Sequence, residues 1–286
     1  MAFGLSNPLF YDFDAVEAAS GGTQMTQEPN VKYSVDGKVA TIQLNRAKAM
    51  NAMNTEVRQE ILTAQAKAEA DDAVRVVILT GSGTSFTSGT DLKELGDFAT
   101  RKGMFDISVR DYKPIIDAIT QSPKIYIAAI NGVAGGVGLS IALSTDLAVM
   151  GESATCFAPF SNIGLVPDGG LSWLLLQHMG SKRAFAAIAQ ADMIDAATCR
   201  ELGLVNKVVP DEDLRAEAAE WAAMLAERAP LSLSYAKKIM RAAHTQSHEQ
   251  IALMESEYQM KCANSEDSGN AISAFFTKQK PVFKGR

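Results

Sequence analysis

A glycine-rich turn between two apolar segments carries the clearest signal of chemistry in this chain. The apolar run Ile125–Ile130 precedes the turn, the sequence Gly135-Gly136-Val137-Gly138 forms it, and a helix-like run over residues 139–143 follows. A turn from strand to helix leaves backbone N–H groups unpaired at the positive end of the helix. Because glycine lets a ligand approach the backbone closely, the turn suits a negative charge developing on oxygen. The alternative is a tight turn that serves packing alone.

The segments around this turn predict an α/β fold. Residues 31–35 alternate apolar and polar side chains, Asp36-Gly37 turns the chain, and an apolar segment over residues 39–44 follows, which predicts a β-hairpin. Apolar strands over residues 74–79, 125–130 and 147–150 then alternate with helical patterns over residues 54–70, 109–120 and from 139. This alternation predicts a parallel sheet with helical crossovers.

The chain divides by composition into three regions. Residues 1–30 form a polar extension around one aromatic cluster, and residues 31–210 hold the alternating strands and helices. Residues 211–286 show helical periodicity over residues 216–229, 231–243, 249–263 and 267–278. We expect the apolar faces of these last helices to pack on the core or on a second subunit.

Bulk properties narrow the possible partners. The chain has 286 residues, 47 % of them apolar, with a net charge of −6 and an isoelectric point near 5.2, which argues against nucleic acid as the main partner. Its three cysteines are far apart, so no disulfide framework is expected. The first 31 residues lack Lys and Arg, and glycines interrupt the uncharged stretch 125–145. These features predict a cytoplasmic protein, or one of another reducing compartment, without a membrane span.

Cofactor and metal signals are weak. Gly81-Ser82-Gly83 follows an apolar strand, but Phe86 occupies the position of the third glycine in a dinucleotide-binding turn, and no P-loop Lys-Ser or Lys-Thr pair follows. His244 and His248 have the spacing of a metal pair on a helix, but no third ligand is signalled. We therefore expect neither a nucleotide cofactor nor a metal.

Five segments, in order along the chain, resemble motifs of one family. They are Leu-Asn-Arg-Ala-Lys-Ala-Met-Asn-Ala-Met at 44–53, Phe-Thr-Ser-Gly-Thr-Asp-Leu-Lys at 86–93, Ala-Ile-Asn-Gly-Val-Ala-Gly-Gly at 129–136, Gly-Leu-Val-Pro-Asp-Gly-Gly at 164–170 and Lys-Pro-Val-Phe at 280–283. Together they resemble the enoyl-CoA hydratase/isomerase family, also called the crotonase superfamily, from about residue 30 to the C-terminus. Ala47 stands where the family usually has proline.

The resemblance implies a fold, a ligand and an assembly. The fold would be a crotonase (ClpP-like) spiral of ββα units with a C-terminal helical trimerisation region. The ligand would be an acyl-CoA thioester, so coenzyme A enters as part of the substrate and no separate cofactor is needed. The assembly would be a homotrimer or a dimer of trimers.

The resemblance also assigns residues to the site. The backbone N–H groups of Ser88 and Val137 would bind the thioester oxygen. The positions expected to bind coenzyme A or the acyl group are Lys48, Met50, Gly89, Thr90, Asp91, Leu92, Lys93 and Gly136. Lys278 and Lys280 are further candidates for a phosphate contact, although a solvated lysine is the simpler interpretation of each. Asp91 is more simply explained as the cap of a helix.

The departures from the family pattern favour an isomerase. Family hydratases use two glutamates, and their positions fall at Ser140 and Phe160, which cannot act as carboxylates. Asp168 resembles the acidic residue of several family isomerases, although it could instead cap the following helix. An isomerase needs one mobile carboxylate, with a pKa raised by an apolar pocket. The candidates to line that pocket are Trp173, Phe160, Met104 and Phe105.

We therefore expect an isomerase that converts a 3-enoyl-CoA to a 2-enoyl-CoA, or a ring-type relative. Asp168 would move a proton from C2 to C4 while two amides hold the dienolate oxygen. The segment 163–175 resembles the ring-rearranging isomerases of aromatic-acid breakdown. A hydratase with an unusual acid–base arrangement, or a non-catalytic CoA-binding member of the family, are the alternatives.

Overall fold

Two sheets form the frame of the structure, a computed structural model that describes residues 28–95 and 101–286. The first 27 residues of the predicted extension lie outside that range. In chain order, the strands are β1 (Val31–Asp36), β2 (Val39–Leu44), β3 (Val76–Gly81), β4 (Ser85–Thr87), β5 (Ile125–Ile130), β6 (Val133–Gly135), β7 (Leu147–Gly151), β8 (Thr155–Phe157), β9 (Met193–Asp195) and β10 (Lys207–Val209).

The helices fill the connections between strands and make up the C-terminal part. They are α1 (Thr55–Ala70), α2 (Leu92–Leu95), α3 (Arg101–Asp106), α4 (Lys113–Gln121), α5 (Val137–Ser144), α6 (Leu171–Gln190), α7 (Ala196–Glu201), α8 (Leu214–Ala226), α9 (Pro230–Ala242), α10 (His248–Ala263) and α11 (Glu266–Thr277). No helix among the described residues is both long enough and apolar enough to cross a membrane.

The larger sheet has six strands in the order β1-β2-β3-β5-β7-β10. β1 and β2 form an antiparallel hairpin in which Val31 lies opposite Leu44, and the other neighbouring strands run parallel. The predicted hairpin and the predicted parallel sheet are thus confirmed. A second sheet, in the order β4-β6-β8-β9, collects short strands that follow the main ones.

Both faces of the larger sheet are covered. Val77 and Leu79 of β3 belong to a core shared with α1, α4 and α5, whereas Val76 and Ile78 face the buried alanines of α8. Because β3 and β5 are buried at every residue, they read in the sequence as continuous apolar runs rather than alternating ones.

Side-chain caps explain where helices such as α1 begin, but one predicted helix begins with a different type of turn. Asn54 caps α1 as predicted, since its side chain accepts a hydrogen bond of 3.0 Å from the Val57 amide. The helix predicted over residues 109–120 is confirmed, but its first part belongs to a π-helix, Ile107–Tyr112, that runs directly into α4. The wider turn changes which side chains of this segment face inward, and it places Tyr112 in the core.

Candidate active site

Two asparagines fix the loops where β3 and β5 end. The Asn131 side chain accepts a hydrogen bond of 3.0 Å from the Gly81 amide and donates one of 2.9 Å to the Gly83 carbonyl. The Asn51 side chain donates to the Ser85 carbonyl at 2.7 Å. Loop backbone that is buried needs such partners, and these side chains supply them. Both asparagines lie in the motif segments singled out above. Their role here is structural, because their side chains bind the backbone of the loops.

The predicted turn into α5 is confirmed as a source of an unpaired amide. Gly136 has φ 55° and ψ −132°, which suits glycine, and its N–H donates to the Phe157 carbonyl at 3.0 Å. Val137 is the first residue of α5, and its N–H has no acceptor within residues 28–95 and 101–286. The positive end of the helix therefore presents a free backbone donor.

Gly89 brings a second loop against this donor. It has φ +95°, and a β-carbon built on it would lie 2.8 Å from the Gly135 carbonyl oxygen and 3.4 Å from the Val137 nitrogen. Only glycine allows the two backbones to come this close. The loop after β4 and the start of α5 thus form one site.

The prediction that Ser88 supplies the first amide is wrong. Its N–H donates to the Met50 carbonyl at 3.0 Å. The Gly89 N–H donates to the Thr87 hydroxyl at 3.1 Å, and the Asp91 N–H to the Met53 carbonyl at 3.2 Å. These three amides are therefore already paired within the protein.

Thr90 supplies the unpaired amide of this loop. Among the described residues its N–H has no acceptor, and it follows directly after the glycine that touches Val137. Thr90 was predicted to bind the ligand, but not to act as a donor. Its hydroxyl lies 2.8 Å from the hydroxyl of Tyr112, a residue that the sequence analysis did not single out.

Asp168 lies half-buried before α6 and does not cap it. The helix has Gly170 at its N-cap with no side-chain cap, and Asp168 contributes only its carbonyl, which accepts from the Leu171 amide at 3.0 Å. Its Oδ1 atom is buried and has no hydrogen-bond partner among the described residues. Burial raises the pKa of Asp168 from its ordinary 3.8 to about 6, and the nearby N–H of its own backbone opposes this in part. A carboxylate in this state can exchange protons near neutral pH.

The two positions where the resemblance places hydratase glutamates are closed. Ser140 is fully buried, and its hydroxyl donates to the Asp168 carbonyl at 2.9 Å. A β-carbon on Gly169 would lie 2.8 Å from that of Ser140. Phe160 is also buried, with its ring 3.9 Å from the place of a β-carbon on Gly136. Apolar atoms and a short hydroxyl thus occupy the space of the two carboxylates.

The other predicted ligand-binding residues surround the first loop. Asp91 caps α2, because its Oδ1 accepts from the Lys93 amide at 3.2 Å, while Oδ2 pairs with the Arg46 guanidinium at 3.0 Å. Both oxygens are therefore engaged with the protein, as the capping interpretation requires. The side chains that point into solvent are those of Lys48, Met50, Leu92 and Lys93.

Strain marks the loop that carries Met50. Met50 has φ 51° and Asn51 has φ 54°, a left-handed conformation that residues other than glycine adopt at a cost of roughly 1–3 kcal/mol each. The Met50 carbonyl is the acceptor that engages the Ser88 amide, so this turn helps to set the loop after β4.

The predicted pocket-lining residues divide into separate groups. Phe160 lies at the site, as described above. Trp173 is 43 % exposed on the first turn of α6, with its ring edge-on to His244 at 4.8 Å between centroids, and Phe105 is exposed. The side chain of Met104 lies outside the described part of the structure.

A buried arginine that was not predicted to be part of the site connects α1 with the π-helix and with α2. Arg58 is buried, and it pairs with Asp111 of the π-helix at 2.8 Å and with Glu94 at 3.1 Å. It also donates to the Met53 carbonyl at 3.0 Å. A signal was available, because Arg58 lies on the same face of α1 as the buried Ile61.

Comparison with known proteins shows the family of the chain. The chain is 33 % identical over 254 residues to a 1,2-epoxyphenylacetyl-CoA isomerase of Escherichia coli K12 (88 % of this chain, 97 % of the relative) and 32 % identical over 259 residues to a short-chain-enoyl-CoA hydratase of Clostridium acetobutylicum (90 % and 98 %). The crystal structure of an enoyl-CoA hydratase from Bacillus anthracis superposes with a TM-score of 0.85 at 28 % identity, covering 90 % of this chain and all of that one. The family model described as enoyl-CoA hydratase/isomerase matches residues 34–286, and the chain belongs to that family.

Proposed function

We propose that the protein is an acyl-CoA thioester isomerase that shifts a double bond from the 3-enoyl to the conjugated 2-enoyl position, or catalyses a ring-type relative of that reaction. The observation that carries the proposal is the state of Asp168. Its carboxylate is half-buried, its Oδ1 atom has no partner among the described residues, and its pKa is about 6. One acid with these properties suffices to move a proton along an acyl chain.

The reaction uses Asp168 twice. Its carboxylate removes a proton from C2 of the 3-enoyl thioester, and the electron pair of that C–H bond delocalises onto the thioester oxygen as a dienolate. The protonated Asp168 then returns the same proton to C4, and the double bond forms between C2 and C3. No water and no second acid enter the balance.

The oxyanion is held by the amides of Val137 and Thr90. Both N–H groups are without acceptors among the described residues, and Gly89 brings the two backbones into contact. An oxyanion donor of this kind contributes roughly 3–4 kcal/mol to the stability of a transition state, so the pair accounts for a large part of the catalysis. This assignment replaces the predicted Ser88 by Thr90 and retains Val137.

A hydratase is the rival activity. Relatives with hydratase names are about as similar as the isomerase, so the names favour neither. The side chains favour the isomerase, because adding water needs a group that activates water as well as a group that supplies a proton. Ser140 and Phe160 occupy the space of the family glutamates and can do neither at neutral pH.

The test gives the protein two substrates in separate assays. A 3-enoyl-CoA gains ultraviolet absorbance when its double bond becomes conjugated with the thioester, and a 2-enoyl-CoA loses absorbance when it is hydrated. We expect conjugation of the first and no hydration of the second. Hydration of the 2-enoyl-CoA at a comparable rate would refute the isomerase. Binding of both without turnover would assign a binding role instead.

The remaining parts of the substrate and the assembly are also proposals. Exposed Lys48 and Lys93 border the first loop and would meet the phosphates of coenzyme A.

The outer helices expose apolar side chains, among them Met240, Leu253, Met260, Ile272, Phe275 and Phe276. Burying them between copies of the chain would give a trimer or a dimer of trimers. Light scattering on the protein as it elutes from a size-exclusion column measures the mass of the assembly. A mass equal to that of one chain would refute the proposed trimer.

A further inference from the structure

Two hydroxyl groups meet behind the proposed thioester site. The Thr90 Oγ1 atom and the Tyr112 hydroxyl oxygen are 2.8 Å apart, a normal hydrogen-bond distance. Tyr112 is only 1 % exposed, and burial raises its pKa to about 12, so it keeps its proton at neutral pH. The pair is therefore a neutral hydrogen bond that ties the side chain of Thr90 to the protein core.

Tyr112 is itself held in place from two directions. It ends the π-helix Ile107–Tyr112. π-Helical segments are rare in proteins as a whole, but those that occur are frequently found at functional sites. The Arg58 guanidinium lies 5.6 Å from the centre of its ring and binds the preceding residue, Asp111. Arg58 also binds the Met53 carbonyl, and the Met53 amide donates to the Gly89 carbonyl at 2.8 Å.

These contacts converge on the peptide that carries the Thr90 amide. Gly89 is a flexible residue at φ +95°, so its own backbone does not fix the direction of the next N–H. The bond from Met53 holds the carbonyl of that same peptide unit, and Tyr112 holds the side chain on its other side. Because a peptide is planar, fixing its carbonyl and the following side chain fixes its N–H.

We propose that Tyr112 is a positioning residue, which acts through its hydrogen bond to Thr90 to aim the Thr90 amide at the thioester oxygen. This inference rests on the proposed function, since it concerns the same amide donor. In this role Tyr112 acts through Thr90 and not on the reacting atoms. Its hydroxyl contributes by holding the donor in the direction that the developing negative charge requires, so that little reorganisation is needed during the reaction.

The test measures polarisation of the thioester directly, without turnover. The probe is the CoA thioester of a 4-dialkylaminocinnamic acid, whose absorption moves to longer wavelength when its carbonyl oxygen accepts stronger hydrogen bonds. We expect a clear red shift on binding to the full-length wild-type protein. Binding without any red shift in the wild type would refute the oxyanion pair itself, and with it this inference, before any variant is made.

The variants remove one hydroxyl at a time. Tyr112→Phe keeps the ring and deletes the oxygen, Thr90→Val deletes the other partner, and the double variant completes a cycle. We expect each single variant to lose much of the red shift and to lower kcat about fivefold to tenfold, as expected from one net hydrogen bond, while KM changes less than about twofold. The double variant should be no worse than the poorer single one. Tyr126→Phe, at another buried tyrosine, is the matched control and should keep the wild-type spectrum.

A merely structural role gives a different result. Tyr112→Phe would then unfold at lower urea concentration but bind the probe with the wild-type red shift, and the inference would be overturned. Additive losses in the double variant would overturn it as well, because they would mean that the two hydroxyls act independently. The wild type could also show a red shift that both single variants lose, while no isomerase activity is found. That result would refute the proposed reaction and leave the positioning role of Tyr112 supported.

Discussion

Replacing Asp168 by asparagine should abolish the reaction and stabilise the protein. The substitution keeps the shape of the side chain but removes both its charge and its basicity. The rise in the pKa of Asp168 from 3.8 to about 6 means that ionising this group opposes folding. A change of one unit in a pKa corresponds to about 1.4 kcal/mol, so ionising Asp168 lowers the free energy of unfolding by roughly 3 kcal/mol at pH 8.

The sign of the pH dependence follows from the same values. A carboxyl whose pKa is higher in the folded state contributes stability that is fully present below about pH 3.8 and is lost as the pH rises through about 6. Asp168→Asn lacks this term. Between pH 5 and pH 8 the variant should therefore gain about 1.4 kcal/mol of unfolding free energy relative to the wild type. The comparison between two pH values cancels any fixed effect of the asparagine.

The assay combines urea unfolding with a rate profile. Unfolding curves of the wild type and of Asp168→Asn are recorded at pH 5 and pH 8, with the exposed Asp72→Asn as the matched control. The kcat/KM of the wild type should fall as the pH drops below about 6, because protonated Asp168 cannot accept a proton. A full isomerase rate in Asp168→Asn would remove Asp168 from the mechanism. An unchanged stability difference between the two pH values would show that the carboxylate is not buried.

Three further substitutions test the frame of the site. Gly89→Ala should lower kcat about a hundredfold, because its β-carbon would meet a backbone carbonyl at 2.8 Å and displace the loop, and steady-state kinetics measure this. Arg58→Met should cost about 3 kcal/mol in urea unfolding, since it leaves two carboxylates without their buried partner; a loss below about 0.5 kcal/mol would contradict the ion-pair network. Ser140→Glu should destabilise the protein in the same assay and add no hydration of 2-enoyl-CoA, because the site has no space for the longer side chain.

Much of the frame was predictable because its signals are local. The strands β3, β5 and β7 are continuous apolar runs, and α1 begins after a residue type that caps helices. The helices α8 to α11 begin and end within three residues of the predicted bounds. The family could be recognised for a similar reason, because its motifs are short contiguous segments, two of which contain Asn51 and Asn131. The family model confirms that recognition.

The rest depends on contacts between distant parts of the chain. The strands β4, β6, β8 and β9 have three residues each, too few to show a period. Ser88 could not be rejected from the sequence, because the acceptor of its amide is the carbonyl of Met50, in a separate turn. The π-helix that places Tyr112 beside Thr90 likewise has no pattern of its own.

The loss of the family glutamates and the placement of Asp168 are parts of one arrangement. Ser140 is short enough for the turn at Gly169 to lie against it, and Gly169 has φ +58° and no room for a β-carbon. The same Ser140 hydroxyl then holds the Asp168 carbonyl at 2.9 Å, one residue before that turn. A glutamate at position 140 would have to displace the turn that carries Asp168. The site can therefore hold an acid at 168 in this position, or a long carboxylate at 140, but this backbone cannot hold both.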